Sequence, residues 1–190
     1  SVLLRGIPFL YQGQEIGMRN CPMESIEDYD DISTRGEYQM ALAAGLSAEE
    51  ALEVCCRNSR DNARTPMQWD ASENAGFTTG RPWLKVNPNY KTINVKSQLE
   101  DADSVLSYYK KLLSLRKSKN YKDVFTYGTF LPLYKEEGYI FAYERKTDDK
   151  TVAVLANFGK KEKTLYLKDS SASTVLLNNQ DEVFQQRISG

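Results

Sequence analysis

The side chains best equipped for chemistry lie in one run, Ser59-Arg60-Asp61-Asn62-Ala63-Arg64-Thr65-Pro66-Met67-Gln68-Trp69-Asp70. Arg60 and Arg64 each present a planar fork of N–H donors, and Asp61, Asn62 and Gln68 add acceptors and amides close by. Networks of this kind, set beside an aromatic ring, bind neutral sugars. The same composition also suits an Arg–Asp network that staples a long loop, and composition alone leaves both readings open. The chain has no histidine. Imidazole bases, Ser/Cys–His triads and His-ligated metals are therefore excluded within it, leaving carboxylates, Arg, Lys and Tyr.

The elements that position these groups must be built from 190 residues, enough for one domain or two small ones at about 100–200 residues each. Charge is balanced, 25 basic against 26 acidic side chains, and neither end of the chain carries the basic face that a nucleic-acid or anionic-membrane partner requires. Cys21, Cys55 and Cys56 form no disulfide framework and no CxxC zinc pair, which predicts a reducing, cytoplasmic setting with neither metal nor cofactor. No apolar run approaches the roughly 18–20 residues of a membrane span. The opening Ser1–Tyr11 lacks a basic start, a cleavage site and an initiator Met, so the chain is expected to begin mid-protein rather than with a secretory signal. Glu24, Glu27, Asp28, Asp30 and Asp31 invite a calcium reading, but EF-hand spacing and its central Gly are missing, and a solvated acidic loop is expected.

Ile7–Tyr11, entered through Gly-Ile-Pro and left through Gln12-Gly13, reads as a buried parallel strand feeding a functional loop. A helix is expected over Glu37–Ala44, ending at Gly45. A second begins after Ser47, where Glu50 completes a capping box, and runs to about Arg57 with Ala48, Ala51, Leu52 and Cys55 on one face. From Asn58 to Val95 periodicity disappears, and a loop this long in a compact domain is usually functional. Met67, Trp69, Phe77, Trp83, Tyr90 and Ile93 are expected to anchor it. Asp103 should cap a helix reaching about Lys119, whose basic C-terminal cluster complements the helix dipole. After Asn120 come short strand candidates, Phe125–Tyr127, Phe130–Tyr134, Tyr139–Arg145, Thr151–Ala156, Lys163–Leu167 and Thr174–Leu177, separated by turn residues as in antiparallel β-structure.

As a string, Arg60–Trp69 resembles the oligo-1,6-glucosidase group of the α-amylase superfamily, glycoside hydrolase family 13. The likeness continues through Asn74-Ala75-Gly76-Phe77-Thr78-Thr79-Gly80-Arg81-Pro82-Trp83, Val86-Asn87-Pro88-Asn89-Tyr90 and Ile93-Asn94-Val95. Gly6–Met18 resembles the family's eighth barrel strand and loop. Asp103-Ser104-Val105, Tyr108-Tyr109-Lys110-Lys111-Leu112 and Leu115-Arg116-Lys117 resemble its eighth barrel helix. Beyond 119 the best match is Ala156-Asn157-Phe158.

The resemblance implies an α/β plus all-β fold: residues 1–120 as the C-terminal piece of a (β/α)₈ TIM barrel (last strand, long insertion, last helix), and residues 121–190 as an antiparallel β-sandwich domain, truncated at its end. It implies a parent enzyme that hydrolyses α-1,6-glucosidic bonds at the non-reducing ends of isomalto-oligosaccharides with retention, using two carboxylates about 5–5.5 Å apart. Those carboxylates would lie upstream of Ser1, so this chain is expected to hold no catalytic residue and to be inactive alone. By the same resemblance Arg60 reaches the terminal glucose and pairs with an upstream Asp, and Arg64 lies nearer the acceptor sugar. Gln12 and Glu15 are expected to brace loops at the end of the barrel strand. Gln14 and Ser33 depart from acidic residues common in relatives, which bears on linkage preference.

Two alternatives stay open. The parent could hydrolyse trehalose-6-phosphate, which needs a phosphate site. Otherwise the chain could be a stand-alone carbohydrate-binding β-module, with Tyr127, Tyr134, Tyr139, Tyr143 and Tyr166 as an exposed aromatic row. An orphan barrel strand is also expected to promote self-association of the fragment.

Overall fold

The computed structural model describes residues 2–167 and 173–179. Two compact units emerge, one of residues 10–107 and one combining residues 1–9 with 108–190.

The first unit carries α1 (Ile32–Ala43), α2 (Ala48–Asn58) and the short α3 (Val95–Leu99). Gly45, at φ 95°, ends α1. Ser47 then opens α2 as its sequence predicts: Glu50 N donates to Ser47 Oγ at 3.2 Å and Ser47 N donates to Glu50 Oε2 at 2.8 Å. Ala51 and Cys55 of α2 are buried, whereas Ala48 stays exposed. Leu52 packs on a small core of Cys21, Met23 and Tyr29. α1 starts five residues earlier than expected and buries only Thr34, so an apolar stripe was never there to mark its first turn.

The long stretch after α2 is ordered by amides rather than by apolar anchors. Gln68 is fully buried and its Nε2 donates to Asn89 Oδ1 at 3.0 Å and to the Ile93 carbonyl. Buried Asn87 donates to the Arg19 and Asn20 carbonyls, and buried Asn94 donates to Tyr90 and caps α3. Of the expected anchors Met67 is buried, but Trp69, Phe77 and Trp83 are exposed, which corrects that expectation.

α4 (Val105–Lys117) follows, with Ser104 rather than Asp103 as its cap: Ser104 Oγ accepts from Ser107 N at 3.2 Å, while Asp103 stays exposed. In the second unit α5 (Lys122–Thr126) precedes β1 (Thr129–Leu133), β2 (Ile140–Lys146) and β3 (Thr151–Asn157), an antiparallel sheet in the order β1-β2-β3. Val124, Phe125 and Val152 form its core with Leu3, Leu115 and Tyr121 against them. Arg145 is fully buried and donates to the Leu3, Gly128 and Thr129 carbonyls, while Arg116 donates to those of Val2, Leu4 and Gly6.

Several expected strands are corrected. Ile7–Tyr11 forms no strand; Ile7 is 81% and Phe9 85% exposed, because a parallel strand needs neighbours and the described residues supply none there. Phe125 belongs to α5, where consecutive Val124 and Phe125 both turn inward. Lys163–Leu167 and Thr174–Leu177 form no ladder with any of the described residues. Among the described residues there is thus a three-stranded sheet with several helices, a partial barrel-like region plus a β region, and neither a closed barrel nor a full sandwich. The expected truncation of the β-domain after Arg187 lies outside the described residues.

Candidate functional site

The acidic loop and the Arg-rich turn come together through the start of α1. Asp31 immediately precedes that helix and is 5% exposed, so its carboxylate must find partners within the protein. Arg60 supplies them: Nε donates to Asp31 Oδ2 at 3.1 Å and Nη2 to Oδ1 at 2.5 Å, with Ser33 Oγ 3.0 Å from the same Nη2. Thr34 Oγ1 lies 3.0 Å from Asp31 Oδ2 and 2.8 Å from Ser59 Oγ. The Arg60 hydrogen bonds, despite opposing desolvation, hold the Asp31 carboxyl down at about 2. The same bonds push the Arg60 guanidinium further up.

A second pair lies alongside. Asp61 is fully buried; its Oδ1 accepts from Arg64 Nη1 at 3.0 Å and its Oδ2 accepts from the backbone N–H groups of Asp30 (2.8 Å) and Asp31 (2.9 Å). Arg64 Nη1 also lies 3.9 Å from Asp31 Oδ1. Ser59 begins the turn by accepting from Asp61 N. The structure thus brings Arg60 and Arg64 together on Asp31 and Asp61. The Asp31 carboxylate belongs to a loop expected to be merely solvated, which the burial of Asp31 corrects.

Sequence spacing does not mark Asp31 and Asp61 as a pair. The available signal is an Asp immediately before a Thr-containing helix start, together with Asp61 beside Arg60 and three residues before Arg64. Arg60 keeps a 61% exposed side chain even while bonded, so part of its fork faces outward. A fork fixed on one edge by a carboxylate and open on the other is suited to binding a hydroxylated or anionic ligand.

Beside this network is a shallow cleft of about 270 Å³ bordered by Gln12, Gln14, Arg19, Asn20, Asn62 and Thr65. Tyr11 Oη donates to the Ala63 carbonyl at 2.8 Å and closes one wall. Gln14 braces the loop through the 3.4 Å bond its Oε1 accepts from Tyr11 N. Glu15 does not border the cleft, nor do Arg60 and Arg64.

Residues 1–128 match the family model for the α-amylase catalytic domain. The chain belongs to the α-amylase family. The model for an α-amylase C-terminal domain matches residues 140–187 of this family member. The chain is 45% identical to the oligo-1,6-glucosidase of Parageobacillus thermoglucosidasius, over 94% of its own length and 32% of that protein. It is 38% identical to the trehalose-6-phosphate hydrolase of Bacillus subtilis over the same shares. The crystal structure of Bacillus licheniformis trehalose-6-phosphate hydrolase is similar to 97% of this chain and 34% of its own, at a TM-score of 0.89 and 37% identity. The chain spans about a third of the length of the curated relatives it matches. This member of the α-amylase family is thus similar to both an oligo-1,6-glucosidase and a trehalose-6-phosphate hydrolase. No helix among the described residues is long and apolar enough to cross a membrane.

Proposed function

We propose that this chain is the substrate-holding C-terminal part of a retaining α-glucosidase that acts on short α-glucosides from the non-reducing end. The observation that carries the reading is Arg60, fixed on buried Asp31 along one edge and open to solvent along the other. Such a fork bonds the hydroxyls of a terminal sugar, and Arg64 is assigned to the neighbouring acceptor sugar. The two carboxylates of the reaction are assigned to residues outside this chain. In this reading residues 1–120 belong to the catalytic barrel and 121–190 to a C-terminal β-domain.

Two substrates compete. Greater sequence identity, 45% against 38%, supports α-1,6-linked isomalto-oligosaccharides. The structural likeness to trehalose-6-phosphate hydrolase, at TM-scores of 0.88 and 0.89 over 97% of the chain, supports the phosphorylated disaccharide and gives that alternative the fuller structural backing. A stand-alone sugar-binding module has less support, because Tyr143 is buried while Tyr127, Tyr139 and Tyr166 are exposed, which breaks the proposed row. The free cysteines support a cytoplasmic location, and exposed Ile7 and Phe9 support self-association of the isolated chain.

The full-length protein should be assayed on isomaltose, panose and trehalose-6-phosphate. Cleavage of trehalose-6-phosphate alone eliminates the α-1,6 reading, and cleavage of isomaltose and panose alone eliminates the other. The isolated chain should not release p-nitrophenol from p-nitrophenyl α-glucoside; turnover by pure chain overturns the assignment of the carboxylates elsewhere.

A further inference from the structure

Trp83 is 66% exposed, yet its ring is fixed: the indole Nε1 donates to Asp30 Oδ2 at 2.7 Å. Asp30 is itself held, since its backbone N–H donates to fully buried Asp61 at 2.8 Å. The chain on either side is constrained too. Pro82 fixes its own φ, Leu84 is 4% exposed, and Lys85 Nζ bonds Glu24 Oε1 at 2.7 Å. A tryptophan normally buries about 150–250 Å² and contributes accordingly. Here the edge is anchored while the face is open, so the ring offers a flat apolar surface already set in one orientation.

The position of the ring narrows the ligand. Asp30 directly precedes Asp31, which holds Arg60, so the indole and the guanidinium both attach to one dipeptide. An indole face accepts the C–H face of a pyranose ring, and exposed Asp30 can accept a hydroxyl beside it. Because its N–H bond already selects the rotamer, little side-chain entropy remains to be lost on binding.

We propose that Trp83, oriented by Asp30, is a stacking platform for a glucosyl ring of a bound gluco-oligosaccharide, one that lies beyond the sugar assigned to Arg60. The assignment rests on the α-glucosidase reading above. In the full-length protein, the ratio of kcat/KM for isomaltotriose to that for isomaltose should fall about fivefold in Trp83→Ala, through KM. Trp83→Phe should keep most of the ratio, and Trp69→Phe should leave it unchanged. Isomaltotriose should also change the indole fluorescence of the wild-type protein more than that of Trp83→Phe, a comparison that holds even where Trp83→Ala fails to fold. An unchanged ratio in folded Trp83→Ala, or an equal fluorescence change in Trp83→Phe, overturns the platform. If the protein cleaves no α-glucoside but the Trp83-dependent fluorescence change persists, the hydrolase reading falls and the platform stands.

Discussion

Arg60 grips Asp31 with two parallel hydrogen bonds, Nε to Oδ2 at 3.1 Å and Nη2 to Oδ1 at 2.5 Å, across 29 positions of sequence. Arg60 first, with Thr34 and the Ser33 backbone N–H, lowers the Asp31 pKa from 3.8 to about 2 against the opposing effect of burial. A carboxylate with a depressed folded-state pKa contributes stability that is fully present above its unfolded value and is lost as pH falls through the folded one. The relevant window is therefore between about pH 4 and pH 2. Asp31→Asn should flatten the acid limb of the stability curve in that window, and carboxyl NMR should place the wild-type midpoint near 2. A midpoint near 4 would show that the fork is not made in solution.

Asp61 does more for the network than its lack of exposure suggests. It satisfies the N–H groups of Asp30 and Asp31 and the Arg64 guanidinium together. Asp61→Ala leaves all three without their acceptor and should cost about 3 kcal/mol, since the amide of Asp31 is buried and Arg64 is only 35% exposed. Urea denaturation of the two proteins gives the difference directly. A change under about 0.5 kcal/mol would mean that water replaces the carboxylate at little cost.

The capping box of α2 makes a milder prediction. Ser47→Ala removes the acceptor for Glu50 N and should destabilise by about 1 kcal/mol. The Ser47 backbone N–H, and then its hydroxyl, lower the Glu50 carboxyl pKa, so the Glu50 contribution is present at neutral pH and weakens as acid protonates it. Urea midpoints at pH 7 and in acid should show the wild-type advantage over Ser47→Ala shrinking in acid. An advantage that grows in acid contradicts the assignment.

What could be read from the sequence followed the range of the interactions. The Ser47 box and the Gly45 stop are local, made by side chains three residues apart or by one backbone conformation, and both are present. Strand signals at Phe130–Tyr134, Tyr139–Arg145 and Thr151–Ala156 fall within a residue or so of β1, β2 and β3, because turn residues bound them on each side. Ile7–Tyr11 has equally good strand composition but no neighbours to pair with, and composition carries no information about neighbours. The Arg-rich turn, Asp61 included, could be recognised as a site, while its buried partner Asp31 depends on a contact between segments about thirty residues apart. Trp83 illustrates the opposite error, since an aromatic in a long loop is expected to anchor it and here only the ring's edge does so.

Gly128 tests the second unit at a close approach of backbone to backbone. A β-carbon there would be driven into the Val124 carbonyl oxygen and would sit 3.1 Å from the Lys146 carbonyl oxygen and 3.2 Å from its nitrogen, none of which is a flexible side-chain end. The same glycine's carbonyl accepts the 2.8 Å bond from buried Arg145 Nη2, so a backbone shift that relieves the clash also disturbs that bond. Gly128→Ala should cost about 1–3 kcal/mol in thermal or urea unfolding. Neutral behaviour would mean that α5 and β1 separate here without penalty.

Cysteine reactivity separates buried from accessible thiols in a single experiment. Cys21 is fully buried, and burial pushes its pKa up to about 11, only partly offset by Lys85. At pH 8 about one part in a thousand of it is thiolate, the form that attacks an alkylating agent. Cys55 is raised by burial as well and donates to the Thr34 carbonyl at 3.6 Å. Cys56, next in sequence, is half-buried. Iodoacetamide at pH 8 should therefore modify Cys56 first and reach Cys21 and Cys55 only on addition of denaturant, as followed by peptide mass spectrometry. Early labelling of Cys21 in the native chain would show that the Cys21–Met23–Tyr29 core opens readily, and with it the support beneath the loop that carries Asp30 and Asp31.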